Sequence, residues 1–268
     1  MLLVMIPLPA AAGKNTSYPL VRQLMEEGDW FGSLSEINRL IVEHPGKKKE
    51  LVYYRAVSLT LGGEHAKAYL DLTGLSSTRS ILLAGYALQG MGRPADSLFA
   101  LDSLAYGGER ETSRALLGLR VEGLVAMNRT EEALVEVERA RHYLEPGRAG
   151  DLESVLIDYD RLPLVSPTWS VVSSALVPGL GQVVSGRWGE GIATFLALAG
   201  LATGGVAAWK TGHYNLMWAA AATGIVLYGA NLYGAWSAAR RRNHELREEG
   251  RRRVREYLPA YRPAGEVP

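Results

Sequence analysis

Two long stretches near the C-terminus carry no charged residue. Residues 191–209, GIATFLALAGLATGGVAAW, are followed after only KTGH by residues 214–239, YNLMWAAAATGIVLYGANLYGAWSAA. As a helix the first run reaches about 28 Å at ~1.5 Å per residue, close to the ~30 Å hydrocarbon core of a bilayer. Two adjacent runs of this length fit a soluble core poorly, and together they predict a transmembrane helical hairpin. Trp188, Trp209, Tyr214, Trp218 and Trp236 fall near its ends, where amphipathic rings favour the headgroup layer. Small residues recur every four positions, as at Gly200, Gly204 and Ala208, and at Ala230, Gly234 and Ala238. That spacing lets helix backbones approach in lipid. It marks Gly200, Gly204 and Gly234 as packing positions, and Gly200 with Gly204 as a homo-oligomer contact. Asn231, in mid-run, is costly in lipid unless paired, so it reads as interhelical glue.

The rest of the composition narrows the chemistry. Net charge is +1, so no global charge draws the chain to nucleic acid. There is no cysteine, which removes disulfides, thiolate metal sites and a Cys nucleophile. The five histidines, at 44, 65, 142, 213 and 244, lack metal-ligand spacing. Asp158 and Asp160 lie two apart and diverge on a helix. The expectation is a protein without metal, cofactor or catalytic residues. Residues 1–13 read as a signal peptide or an apolar N-terminal segment: an apolar run leads to Ala10-Ala11-Ala12, without a basic start.

Upstream lies a repeat. Gly28, Gly63, Gly92 and Asn128 each precede a helical pattern, at spacings of 35, 29 and 36 residues. Five residues after each comes Ser33, Ala68, Ser97 or Ala133. Four before each comes Leu24, Leu59, Leu88 or Leu124. Such a period predicts an array of helical hairpins: the breaker ends the first helix, the Leu enters the core, and the small residue lets the second helix close in. This pattern resembles the tetratricopeptide repeat family over residues 18–162, with Ala56 and Gly85 at its small first-helix position and Pro45 closing a repeat; Val121 departs from it. The resemblance implies an inner groove built by the first helices of each hairpin. Tyr53, Thr60, Arg79, Tyr86, Gln89 and Glu122 would face it. Such a face fits a protein or peptide partner, a solvated surface, or a surface covered by a neighbouring helix.

Between the two regions runs SALVPGLGQVVSGRWGEG, residues 174–191. It lacks the Lys-Ser/Thr of a phosphate loop and the preceding strand of a dinucleotide fold. Pro178 and Gly179 should break a short apolar helix begun near Trp169, and Gly181, Gln182 and Gly186 belong to the turn that follows. The segment 168–186 then reads as a re-entrant helix and turn, or as a third, kinked span. The stretch resembles the start of a small bacterial membrane domain of uncharacterised function, reading S-A-x-x-P-G-x-G-Q-x-x-x-G. Its members end near GNxYGAxxAAxxxN, here GANLYGAWSAARRRN. In this chain Ser185 stands where the pattern has Tyr.

The tail 240–258 holds eight Arg and four Glu and reads as a separate basic helix, with Glu248 and Glu249 four residues before Arg252 and Arg253. Arg next to a span is retained on the cytoplasmic side and attracts anionic lipid. An exported repeat domain and a cytoplasmic tail would require 168–186 to cross. The reading is an all-α chain: tetratricopeptide-like repeats at 14–162, a membrane domain at 163–239 and a basic tail at 240–268. The function it implies is a scaffold in the bacterial inner membrane, with periplasmic repeats that bind a protein or peptide. A small transport or membrane-protein insertion component is the alternative.

Overall fold

In the computed structural model residues 18–263 are described, and among them there are helices and loops but no strand. The segment 1–13 lies outside the described residues. The chain forms two compact units. Among the described residues, one comprises 18–150 and 258–263, the other 151–257.

The first unit is an array of four helical hairpins. They pair α1 (Pro19–Glu26) with α2 (Trp30–Glu43), α3 (Lys48–Leu61) with α4 (His65–Leu72), α5 (Thr78–Gly90) with α6 (Pro94–Leu101), and α7 (Arg110–Ala126) with α8 (Thr130–Arg139). Every breaker sits inside a hairpin turn, and the turn is the same each time. Gly28, Gly63, Gly92 and Asn128 adopt φ of 77°, 81°, 71° and 57°. The N–H of the next residue donates back to the carbonyl of Leu24, Leu59, Leu88 or Leu124 at 2.8–2.9 Å. This left-handed cap ties up the last open carbonyls of the first helix, and Gly or Asn enters that region at least cost.

The small residues behave as the spacing requires. Ser33, Ala68, Ser97 and Ala133 are all 0% exposed. The Ser97 hydroxyl donates to the Gly85 carbonyl at 2.8 Å, and Ser33 meets Ser58. Gly85 itself has no room for a side chain, because a Cβ there would stand 2.8 Å from Leu101. Replacing Ala68 or Ala133 with Trp should therefore overpack the core by about 1–3 kcal/mol, or about 2–4 °C of melting temperature per kcal/mol. Phe99→Trp, at a site 86% exposed, should leave the melt unchanged. Equal melts for all three variants would remove the proposed register.

Leu82, Leu101, Leu116 and Leu119 form one apolar cluster, beside a larger one built around Ile37, Leu51, Val57 and Leu83. The loop after α6 is closed by Arg120, which donates to the carbonyls of Leu101 and Leu104 at 3.0 and 2.9 Å and pairs with Glu136 at 3.1 Å. The Tyr106 hydroxyl donates to the same carboxylate at 2.7 Å. Burial first, then that carboxylate, raises the Tyr106 phenol well above its ordinary value.

The second unit contains α10 (Pro167–Leu176), α11 (Leu180–Val184), α12 (Trp188–Lys210) and α13 (Tyr214–Tyr257). Helices α12 and α13 are long and apolar enough to cross a membrane. Only 11% and 6% of their most apolar stretches are buried, unlike a helix in the core of a soluble domain.

Several boundaries differ from the sequence reading. The second apolar helix does not stop at 239: α13 runs 44 residues without a break, or about 66 Å. Arg and Glu are good helix formers, and Arg251–Glu248 and Arg252–Glu249 pair one turn apart at 2.8 and 2.7 Å. The junction at 162 moves into α9 (Arg148–Asp160). Tyr159 packs on α13 so closely that a Cβ at Gly250 would lie 2.6 Å from its ring. Residues 258–263 belong to the first unit and not to a detached tail. The segment 168–186 is no single straight span. Helix α10 has ten residues, about 15 Å of rise, and runs antiparallel to α13: Val165 meets Asn243, and Ala175 meets Tyr228.

Candidate functional site

Two places gather the residues singled out by sequence. The first is the turn between α10 and α11. Val177, ahead of a proline, takes an extended conformation, φ −131° and ψ 107°, as the proline ring demands. Gly179 then reverses the chain at φ 88°. A Cβ on Gly179 would lie 2.1 Å from the Gly191 carbonyl, and one on Gly181 2.1 Å from the Ser170 carbonyl. These two glycines let the turn touch α12 and α10 backbone to backbone.

The broken backbone is satisfied by side chains. Asn231 is 2% exposed. Its Oδ1 accepts from the Gly179 N–H at 2.9 Å, and its Nδ2 donates to the Ser174 carbonyl at 3.0 Å. Gln182 Nε2 donates to the Asn231 carbonyl at 3.2 Å, while its Oε1 accepts from Ser174 Oγ at 3.0 Å. Ser174 Oγ in turn accepts from the Gly181 N–H at 2.9 Å. Farther along, the Asn243 amide both accepts from and donates to the backbone of Val165, at 2.8 Å each way. Ser185 is buried too, and donates to the Gly181 carbonyl at 2.7 Å. A Tyr there would not fit the same pocket.

Pro178, Gly179, Gly181, Gln182, Asn231 and Gly234 thus converge, the last with its would-be Cβ 3.0 Å from Gln182. Gly186 also has φ of 82°, but open space around it. Within the chain nothing lies within 4 Å of a Cβ at Gly200 or Gly204, and the hairpin closes one position on, at Gly205 against Ala220. The sequence reading missed Ser174, whose signal was a row of serines, Ser170, Ser173 and Ser174, on an otherwise apolar helix.

The second place is on the repeats. Tyr86 and Glu122 come together on the first helices of their hairpins. Burial, then the Glu122 carboxylate, raises the Tyr86 phenol above its ordinary value. His65 meets Tyr86 edge-on at 6.3 Å. The segment 258–263, irregular through residue 262, lies on this same face. Its Pro259 carbonyl sits where a Cβ on Gly118 would be, 2.2 Å away, and the Tyr261 ring centroid is 5.6 Å from that of Tyr86. Tyr261 packs against both apolar clusters. Tyr53 and Arg79 instead border a separate cavity of about 410 Å³, shared with Tyr54, Lys49 and Ser77. Of the residues expected on the groove, Gln89 is half-buried, while Thr60 is buried and donates to the Ala56 carbonyl at 2.7 Å. Gln89 links α5 to α7 by donating to the Leu119 carbonyl at 2.6 Å. Gln89 Nε2 also donates to Ser97 Oγ at 3.2 Å.

No family model, curated protein or solved structure matches this chain.

Proposed function

We propose that this chain is a non-enzymatic, membrane-anchored helical-repeat scaffold that captures an extended segment of a protein partner on the face formed by α5 and α7. The observation that carries the reading is the seat at Tyr86, Gly118 and Glu122, which already accommodates Pro259 and Tyr261 of the chain's own irregular segment. A photoreactive residue at position 122 should crosslink one partner in native membranes, and the same residue at Phe99, on the outer face, should not. Identical crosslinks at both sites, or crosslinks indifferent to Gly118→Val, would sink the reading.

The anchor is α12 with the apolar part of α13, in a bacterial inner membrane on the resemblance of the SALVPGLGQ stretch. The first unit contains chain from before and after this hairpin. Two crossings return the chain to the side it left, so repeats and tail share a compartment. Arg187 and the eight arginines of 240–258 flank the membrane on that side, against Lys210 alone in the connecting loop. Retention of Lys and Arg makes that side the cytoplasm. Periplasmic repeats would need instead a third crossing by 168–186. The cysteine-free chain allows single-cysteine probes at Ser103, His213 and His244, all exposed. A membrane-impermeant thiol reagent on spheroplasts should label position 213, and should reach 103 and 244 only after permeabilisation. Labelling of 103 with 213 protected would reverse the orientation. Opposite labelling of 103 and 244 would break the two-crossing reading itself.

A further inference from the structure

We infer that residues 258–263, LPAYRP, are a resident ligand of the repeat face, held in cis and displaced by the partner. The inference rests on the scaffold reading for the existence of a partner, but not for the occupancy itself. The seat is specific in its geometry. Gly118 is the position of α7 where a backbone carbonyl of another segment comes within 2.2 Å of a would-be Cβ, so the helix is indented to admit an extended chain. Two residues on, Tyr261 lies across Tyr86, which is itself flanked by His65. Leu258 and Pro263 are buried at the two ends, while Ala260 and Arg262 are exposed between them. Alternate residues in and out are how an extended peptide reads a surface.

The segment is seated by the Pro259 carbonyl against Gly118 and the Tyr261 ring on Tyr86, and it is tethered to α13. A tethered ligand sees an effective concentration in the millimolar range, so even weak intrinsic affinity keeps the face covered. The same arithmetic leaves it displaceable by a tighter competitor. The partner chemistry follows from what is seated: an extended segment with a proline two residues before a tyrosine, the proline carbonyl toward Gly118 and the phenol ring on Tyr86. Glu122 beside Tyr86 favours a basic residue next to that tyrosine, as Arg262 is here.

The probe is a fluorescein-labelled peptide with the sequence of residues 257–263, titrated into the full-length protein in detergent micelles. Against an effective concentration of ~1 mM, a peptide of Kd about 0.1 mM should bind the unmodified protein roughly tenfold more weakly than a Pro259→Gly/Tyr261→Ala variant with its own tail released. Adding Gly118→Val to that variant should abolish binding. Equal affinity for the wild-type and released proteins, or binding indifferent to Gly118→Val, overturns the proposal. Amide exchange on the unmodified protein provides a second readout that no folding defect can blur. Excess peptide should speed exchange at Ala260–Arg262, and saturation by peptide without that acceleration overturns the proposal too. Loss of the partner crosslink at position 122, with peptide competition intact, would count against the scaffold reading alone.

Discussion

Gly179→Ala should unfold the turn of the membrane unit, at a cost of about 2–5 kcal/mol. Two contributions add. An L-residue at φ 88° costs about 1–2 kcal/mol in the left-handed region. The new methyl would also stand 2.1 Å from the Gly191 carbonyl. That obstacle is backbone and cannot rotate away, and overpacking of this kind costs about 1–3 kcal/mol. The controls separate the two. Gly186→Ala, at φ 82° with open space, should show only the backbone cost. Gly200→Ala, in mid-helix with nothing near its Cβ, should be neutral or stabilise by about 0.5–1 kcal/mol. Thermal unfolding in detergent, followed by near-ultraviolet circular dichroism of the tryptophans, would rank them. If Gly179→Ala melts with Gly186→Ala, the close approach to Gly191 is not a constraint.

Asn231→Leu should be comparably damaging for an electrostatic reason. The substitution keeps the size of the side chain and removes both hydrogen-bonding groups. It strands the Gly179 N–H and the Ser174 carbonyl, each buried and each costing about 1–3 kcal/mol when unpaired. Gln182 loses a neighbour as well, since its amide lies 3.4 Å from the same oxygen. Groups in one network do not add. Asn231→Leu combined with Gln182→Leu should therefore cost less than the sum of the two single changes. Strict additivity would show that the two amides act independently.

The parts legible in the sequence are those whose requirements are local. The hairpin caps need a left-handed residue, and only Gly and Asn supply it cheaply, so Gly28, Gly63, Gly92 and Asn128 stood out by type and spacing. The break at Pro178 and Gly179 was visible for the same reason, and the polarity of Asn231 announced that it had a partner. The partner itself, 52 residues back at Gly179, was not visible, because nothing local encodes which backbone groups a mid-helix amide will meet. The face at Tyr86 and Glu122 followed from the repeat register. Its occupant did not: LPAYRP has no periodicity, and its place depends on an indentation at Gly118 that only packing reveals. Helix α13 was cut short at Ala239 because the onset of charge marks where apolar surface ends, which is not where helical hydrogen bonding ends. The contact of α12 with α13 at Gly205 was not legible, because small residues run around most of α12 and spacing alone does not choose between adjacent faces.

The hydrogen bonds of the α10–α11 turn also impose an order of events on biosynthesis. The Gly179 N–H and the Ser174 carbonyl have their acceptor and donor on residue 231, and Val165 has its own on residue 243. At about 5–20 residues per second, residue 231 is polymerised roughly 3–10 s after residue 179. During that interval the emerging α10–α11 segment carries backbone groups whose partners do not yet exist, so water must satisfy them. The turn can close only once α13 arrives. The turn therefore closes only after α12 and α13, although it precedes both in the chain.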